Sequence, residues 1–202
     1  DHRIRQFELY LEIGIEPMII RKALDLIALY RGRHEPEHAA MVIERALECV
    51  PRAAELLECQ CGIFEEQGRR GEAAEQFLSL GRLYLERGKN ERARAVIEQA
   101  LKCVPEHLEA REAMADALVA LGLALQSMSI YSDLIEFYLR ENESESVIRI
   151  AQKVLDMQDD HVPTLQMLAR AYGIANQVEK QLTIQTRLIK LYVKNQSYTR
   201  AT

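Results

Sequence analysis

The sequence predicts an all-α fold: an α-solenoid, a right-handed superhelix of about eleven antiparallel helices. Apolar residues recur along the chain at the spacing of one helix face. Short breaks that carry glycine, asparagine or proline separate these apolar segments, as helix ends favour. The whole pattern also returns at a fixed interval, and internal repetition of this kind is typical of solenoids.

The interval is 54 residues. The segment 42–51, Val-Ile-Glu-Arg-Ala-Leu-Glu-Cys-Val-Pro, returns with two changes at 96–105. Two further series keep the same interval along the chain: Leu26, Leu80, Leu134 and Leu188, and Tyr30, Tyr84, Tyr138 and Tyr192. We therefore predict that these leucines are core residues and that the four tyrosines occupy equivalent environments between helices.

Each interval holds three helices. Third helices are predicted at about 55–67, 109–121 and 163–175, and each is followed by a residue that favours a helix C-terminus, namely Gly68, Gly122 or Asn176. Asn90 and Ser144 are predicted N-caps of second helices. The predicted helices are about 3–13, 18–31, 37–49, 54–67, 71–87, 91–104, 108–121, 124–141, 145–157, 162–175 and 178–195.

The domain prediction is a single array over 1–202, with units of about 20–73, 74–127 and 128–181 and a partial unit at each end. Phe7, Tyr10 and Gly14 match Cys61, Phe64 and Gly68 one interval later, so the chain opens on a third helix. We interpret the chain as a piece of a longer solenoid.

The segment 75–105 shows which helical repeat this is. Its key residues, in order, are Phe77, Leu80, Gly81, Tyr84, Ala93, Ile97 and Pro105. Their spacing resembles that of the tetratricopeptide repeat, with Phe77 where that family most often has Trp. The resemblance implies paired antiparallel helices whose first members line a concave, protein-binding groove. It is specific for the fold and not for one function.

Three helices per unit allow two layouts. In simple alternation every helix runs antiparallel to the one before it, whereas an armadillo-like layout turns one short helix across the others. A second tetratricopeptide-like spacing overlaps the first and uses helix 71–87 as its second member; it comprises Leu57, Phe64, Gly68, Ala73 and Phe77. This overlap favours simple alternation.

Composition and charge exclude several classes of function. Apolar residues make up 48% of the chain and charged residues 28%, a balance that supports a continuous core. A net charge of -5 argues against nucleic-acid binding, which leaves a basic footprint. No apolar stretch has the length of a membrane span, and the N-terminus lacks the apolar core of a signal peptide, so we predict a cytoplasmic protein without membrane insertion.

No catalytic or cofactor site is predicted. Glycine-rich phosphate loops and nucleophile motifs are missing from the sequence, and carboxylates follow helix faces at salt-bridge spacing. The four cysteines lack a metal-binding spacing, since Cys59 and Cys61 point about 200° apart on a helix, and buried, reduced thiols are expected. We predict a protein that is not an enzyme and has no cofactor.

The remaining interpretation is a scaffold or adaptor that docks a protein on one solenoid face. Two alternatives stay open: a rigid spacer or regulatory arm of a larger protein, and an assembly or polarity factor of a bacterial envelope or motility machine. Positions that vary between repeats mark the candidate surface, because the scaffold does not need them constant. On first helices these candidates are Leu78, Arg82, Leu85, Ser132, Glu136 and Leu139.

A second candidate surface is an acidic stripe on a third helix, formed by Glu109, Glu112 and Asp116 at i, i+3 and i+7. It suits a basic peptide or the basic face of a folded partner, whereas the mixed rows on the first helices suit a peptide or a folded domain, for example a small regulatory GTPase. Positions that stay constant between repeats and positions that vary also differ in the loss of stability that we expect on truncation. Truncating Leu80 or Leu134 to alanine should cost about 2–5 kcal/mol, and truncating Leu78 less than half as much.

Overall fold

The structure is a computed structural model that describes residues 2–199, with side chains described through Lys194. All regular structure in that range is helical, as the sequence predicts, and no strand occurs among the described residues. The helices are α1 (His2–Ile13), α2 (Glu16–Gly32), α3 (Pro36–Cys49), α4 (Ala54–Glu66), α5 (Arg70–Glu86), α6 (Asn90–Cys103), α7 (Leu108–Ala120), α8 (Ala124–Arg140), α9 (Ser144–Met157), α10 (Val162–Ile174) and α11 (Val178–Thr199).

The helix bounds themselves recur every 54 residues. The first helices α2, α5 and α8 have 17 residues each, and the second helices α3, α6 and α9 have 14. The third helices α4, α7 and α10 have 13 residues each. The three-helix interval read from the sequence is therefore present in the described backbone.

Two turns in each interval use a left-handed residue. Lys89 N–H donates to Tyr84 O at 2.9 Å and Arg69 N–H to Phe64 O at 2.9 Å, bonds that close a helix C-terminus when the residue before the donor has positive φ. The residues with positive φ form two series at the repeat interval: Gly14, Gly68, Gly122 and Asn176, and His34, Gly88 and Asn142. The predicted helix-ending roles of Gly68, Gly122 and Asn176 are confirmed.

The predicted N-caps require a correction by one residue. Asn90 and Ser144 are the first helical residues of α6 and α9, and Lys89 and Glu143 precede them without a side-chain capping bond. The reason is that the backbone ladder starts earlier, because Ala93 N–H already donates to Lys89 O at 3.0 Å.

The described contacts group into two compact units, residues 1–117 and 118–202. The first unit has one core cluster around Phe7, Leu26 and Ile43 and a second around Leu80 and Ile97. In the second unit the largest fully buried side chains are Tyr131, Leu134, Ile135 and Ile150.

Contacts inside each unit show that neighbouring helices run in opposite directions. In the first unit Tyr84, near the end of α5, hydrogen-bonds Glu58, near the start of α4. In the second unit the hydroxyl of Ser127 at the start of α8 lies 3.8 Å from the sulfur of Met157 at the end of α9. Helices two apart then run parallel, as the ion pair of Arg31 with Glu66 shows for α2 and α4. These contacts favour simple alternation.

The prediction for the four repeated leucines is confirmed, and the prediction for the four repeated tyrosines is not. The four leucines are buried, with Leu188 the most exposed at 8%. The prediction of equivalent tyrosines is wrong, because Tyr84 is 2% exposed and Tyr192 is 44% exposed. Tyr192 lies on α11, and no later helix among the described residues packs against it.

Candidate partner-binding groove

A surface groove of about 450 Å³ runs between α5 and the turn that joins α3 to α4. One wall is a face of α5, and the other is formed by the turn and the start of α4. The lining residues are Gln76, Ser79, Arg82, Leu83 and Glu86 on α5, opposite Pro51, Arg52 and Leu57. All of them belong to the first compact unit.

Local sequence explains both walls. Gln76, Ser79, Leu83 and Glu86 follow helical spacing, so their side chains share one face of α5. The opposite wall exists because α3 ends before Pro51, which cannot continue a helix. The turn is therefore held at a defined place beside α5.

Arg52 of this groove and the nearby Arg87 are already engaged within the protein. Arg52 forms an ion pair with Glu86, and Arg87 Nη2 donates to Arg52 O at 2.8 Å. Arg82 is exposed and has no ion-pair partner among the described residues. The groove therefore offers one uncommitted guanidinium, and its apolar lining residues Leu57 and Leu83 are largely buried.

A second cavity of about 400 Å³ adjoins the groove and shares Pro51 and Arg52 with it. It extends the surface toward α2, where Glu16 and Ile20 line it. The combined surface mixes apolar side chains with charges of both signs, a composition typical of the rim and core of protein interfaces.

The candidates predicted on α5 separate into surface and core. Arg82 lies in the groove and Leu85 is half-buried, but Leu78 is 2% exposed and belongs to the core cluster around Leu80. The placement of Leu78 on an open face is therefore corrected. The physical reason is that α5 contacts both α4 and α6, so a position can vary between repeats and still be covered.

The candidates on α8 require the same correction in part. Glu136 is exposed and Ser132 is half-buried, whereas Leu139 is 8% exposed. Leu139 is thus a core residue of the second unit. These three residues belong to a different compact unit from Arg82.

The acidic stripe on α7 is partly engaged within the protein. Glu109 lies 3.1 Å from Nδ1 of His107, whose Nε2 lies 3.1 Å from Glu75 of α5. Glu112 and Asp116 are half-buried, and each takes part in an interaction of its own. Of the three, only Glu109 is exposed.

The cysteines differ in burial. Burial, with a smaller contribution from the Glu65 charge, raises the pKa of the Cys61 thiol to about 12. Cys49, the last residue of α3, is exposed, contrary to the expectation of buried thiols. No group of three metal-ligating side chains occurs among the described residues.

Sequence reasoning missed Arg52 and most of the wall of α5. A signal for Arg52 was present, since its position carries Arg52, Glu106 and Asp160 in successive repeats. Such a change of charge marks a position that the scaffold does not need constant.

Across the described residues no helix has the length and apolar composition to cross a membrane.

Comparison with known proteins identifies the repeat. Residues 73–117, from α5 into α7, match the tetratricopeptide repeat family. No curated protein is similar to the chain by sequence. The similar solved structures include YrrB, a TPR protein with an unusual peptide-binding site, which is 16% identical over 89% of this chain and 97% of its own, with a TM-score of 0.45.

Two further structures are similar at the same level. A putative kinesin light chain from Podosopora anserina, with nearly identical TPR-like repeats, is 17% identical over 98% of this chain and 99% of its own, with a TM-score of 0.41. BtubC (BKLC) from P. vanneervenii is 13% identical over 96% of this chain and 90% of its own, with a TM-score of 0.42.

Proposed function

Since the chain carries a tetratricopeptide repeat, we propose that it is a non-catalytic scaffold that binds a protein partner in the groove beside Arg82. A protein scaffold is the coarse function that the family supports. The observation that supports this particular groove is the uncommitted Arg82 guanidinium in an open cavity of about 450 Å³.

The partner's chemistry follows from that arrangement. A carboxylate of the partner pairs with Arg82 with the geometry that guanidinium groups favour. Neighbouring atoms of the partner then fill the groove, which Leu57 and Leu83 line with only 9% and 6% of their surface exposed, and exclude water from the ion pair. Arg52 is held by Glu86 and by Arg87, so the opposite wall is ordered before binding.

The test compares partner binding by the parent chain, Arg82→Glu and Arg94→Glu. Arg94 is a matched control, because it is an exposed arginine on α6 whose only described ion pair is with Glu91 at 3.5 Å. Proteins captured by the parent chain are identified by mass spectrometry, and their affinities are then measured by titration calorimetry.

We expect Arg82→Glu to weaken a directly binding partner at least tenfold, because a repulsive pair replaces an attractive one, while Arg94→Glu leaves affinity unchanged. Circular dichroism establishes that all three chains are equally helical. Equal affinity of the parent and Arg82→Glu would remove this groove from the proposal, and the lack of any specific partner would remove the scaffold function.

A further inference from the structure

A separate cavity of about 150 Å³ lies among α1, α2 and α3, on residues that the proposed groove does not use. Met41 lies at its mouth with 58% of its surface exposed. The walls are mainly apolar and consist of Ile4, Phe7, Leu26, Tyr30, His38, Met41, Val42 and Arg45.

The next repeat shows that the scaffold does not require this cavity to be apolar. Glu58 stands where Ile4 stands one interval earlier, and Ala95 stands where Met41 stands. In that repeat the hydroxyl of Tyr84 donates to Glu58. The equivalent place is therefore occupied by a polar pair in one copy and by apolar side chains in the other.

Because Ile4 stands at the position that Glu58 has in the next repeat, the Tyr30 hydroxyl lacks the carboxylate acceptor that the Tyr84 hydroxyl has. Tyr30 is the counterpart of Tyr84, and its hydroxyl has no hydrogen-bond partner among the described residues. Its ring is held in place by stacking on His38, with ring centroids 5.2 Å apart. The cavity thus combines apolar walls with one oriented aromatic residue that carries a spare donor.

We propose that this cavity binds one apolar side chain of a protein partner, of the size of phenylalanine, with a neighbouring carbonyl oxygen accepting the Tyr30 hydroxyl. The size follows from the volume, because an apolar protein cavity of about 150 Å³ accommodates benzene. The carbonyl follows from Tyr30, because a hydroxyl desolvated by a bound side chain needs an acceptor.

The walls of the cavity are ordered without a ligand. The Arg45 guanidinium lies 6.0 Å from the centre of the Phe7 ring and 3.5 Å from the Glu8 carboxylate. Phe7, Leu26 and Val42 belong to the core of the first unit. Binding therefore orders mainly Met41, a flexible side chain that adapts to a bound ring.

The test uses N-acetylphenylalaninamide as the probe and N-acetylglycinamide as a control that lacks the side chain. Each compound is titrated into the full chain carrying methyl-labelled methionine, and the Met41 methyl signal is followed by NMR. We expect a saturable shift with the phenylalanine compound and none with the glycine compound. A shift that does not saturate, or that is equal for both compounds, would overturn the proposal.

Three variants make the test specific to this cavity. Met41→Glu places a charge at the exposed mouth and is expected to abolish binding, which is followed by calorimetry. Tyr30→Phe is expected to weaken binding roughly 2- to 10-fold through loss of one hydrogen bond. Ala95→Glu, the matched control one interval later, is expected to bind as the parent does.

Unchanged binding by Met41→Glu would contradict the site, and unchanged binding by Tyr30→Phe would contradict the role of the hydroxyl. Arg82 lies on α5 outside this cavity, so a failure here and a failure of the proposed groove are distinguishable.

Discussion

Leu78 and Leu80 lie two residues apart on α5, and both are buried, at 2% and 0% exposure. We expect replacement of either by alanine to cost about 2–5 kcal/mol, since each change leaves a cavity in the same core cluster. Urea unfolding measures both costs. Leu125→Ala is the control, because Leu125 is 86% exposed and its truncation should change stability by less than about 0.5 kcal/mol.

A Leu78→Ala cost less than half that of Leu80→Ala would contradict the placement of Leu78 in the core. It would restore the separation that the repeat comparison predicts, in which only the constant leucines carry the packing energy. Equal costs would show that variation between repeats does not by itself identify surface.

Cys61 links the stability of the first unit to alkaline pH. Its pKa is raised from 9.0 to about 12 in the folded chain, first by burial, so the folded state keeps the thiol proton after the unfolded state has lost it. The contribution of this thiol to stability is complete below about pH 9 and decreases as the pH rises toward 12.

We therefore expect Cys61→Ala to show a smaller loss of stability between pH 8 and pH 11 than the parent, although the variant is less stable at pH 8. Chemical unfolding at several pH values measures this difference. Cys59 and Cys103, whose pKa values are also raised by burial, remain in both chains. Parallel pH profiles would contradict the expectation.

At the scale of the element, α5 and α6 pack closely against each other at Gly81. A Cβ added at Gly81 would lie against Ile97 Cγ1 and 3.0 Å from Ile97 Cδ1. Equivalent positions on α2 and α8 carry Ile27 and Ile135. The glycine thus lies within the segment that matches the tetratricopeptide repeat family, residues 73–117.

We expect Gly81→Ala to destabilise the chain by about 1–3 kcal/mol, because the added methyl group forces Ile97 or the helix to move. Gly62→Ala is the matched control. Gly62 lies inside α4, and its nearest neighbours are guanidinium nitrogens of Arg31 at 4.0 Å. This substitution should stabilise by about 0.5–1 kcal/mol through helix propensity. Thermal and urea unfolding check both signs, and a neutral Gly81→Ala would show that the pair can relax.

At the scale of the whole molecule, the core of the first compact unit consists of residues from Phe7 to Ala117. Because each helix of a repeat protein packs mainly on its neighbours, such a unit carries most of its own stabilising contacts. We expect a fragment of residues 1–122, which ends after α7 and Gly122, to be helical and to unfold cooperatively. Circular dichroism during urea unfolding is the measurement, and a non-cooperative transition would contradict the expectation.

The sequence by itself determined the helices and their interval. The predicted helix ends agree with the observed ones within two residues everywhere except at the end of α11. The reason is that helix bounds depend on neighbouring residues: apolar spacing, and residues such as Gly68 and Gly88 that adopt positive φ. Arg82, an exposed residue on the first helix of the repeat, was also identified at this level.

Only the tertiary structure decided which variable positions are open. The positions of Leu78 and Arg82 both vary between repeats, yet Leu78 is a core residue and Arg82 lines the groove. The cavity beside Tyr30 likewise depends on side chains from three helices, which no single helix encodes. Burial of a side chain is set by how many helices surround it, and that number comes from packing and not from local sequence.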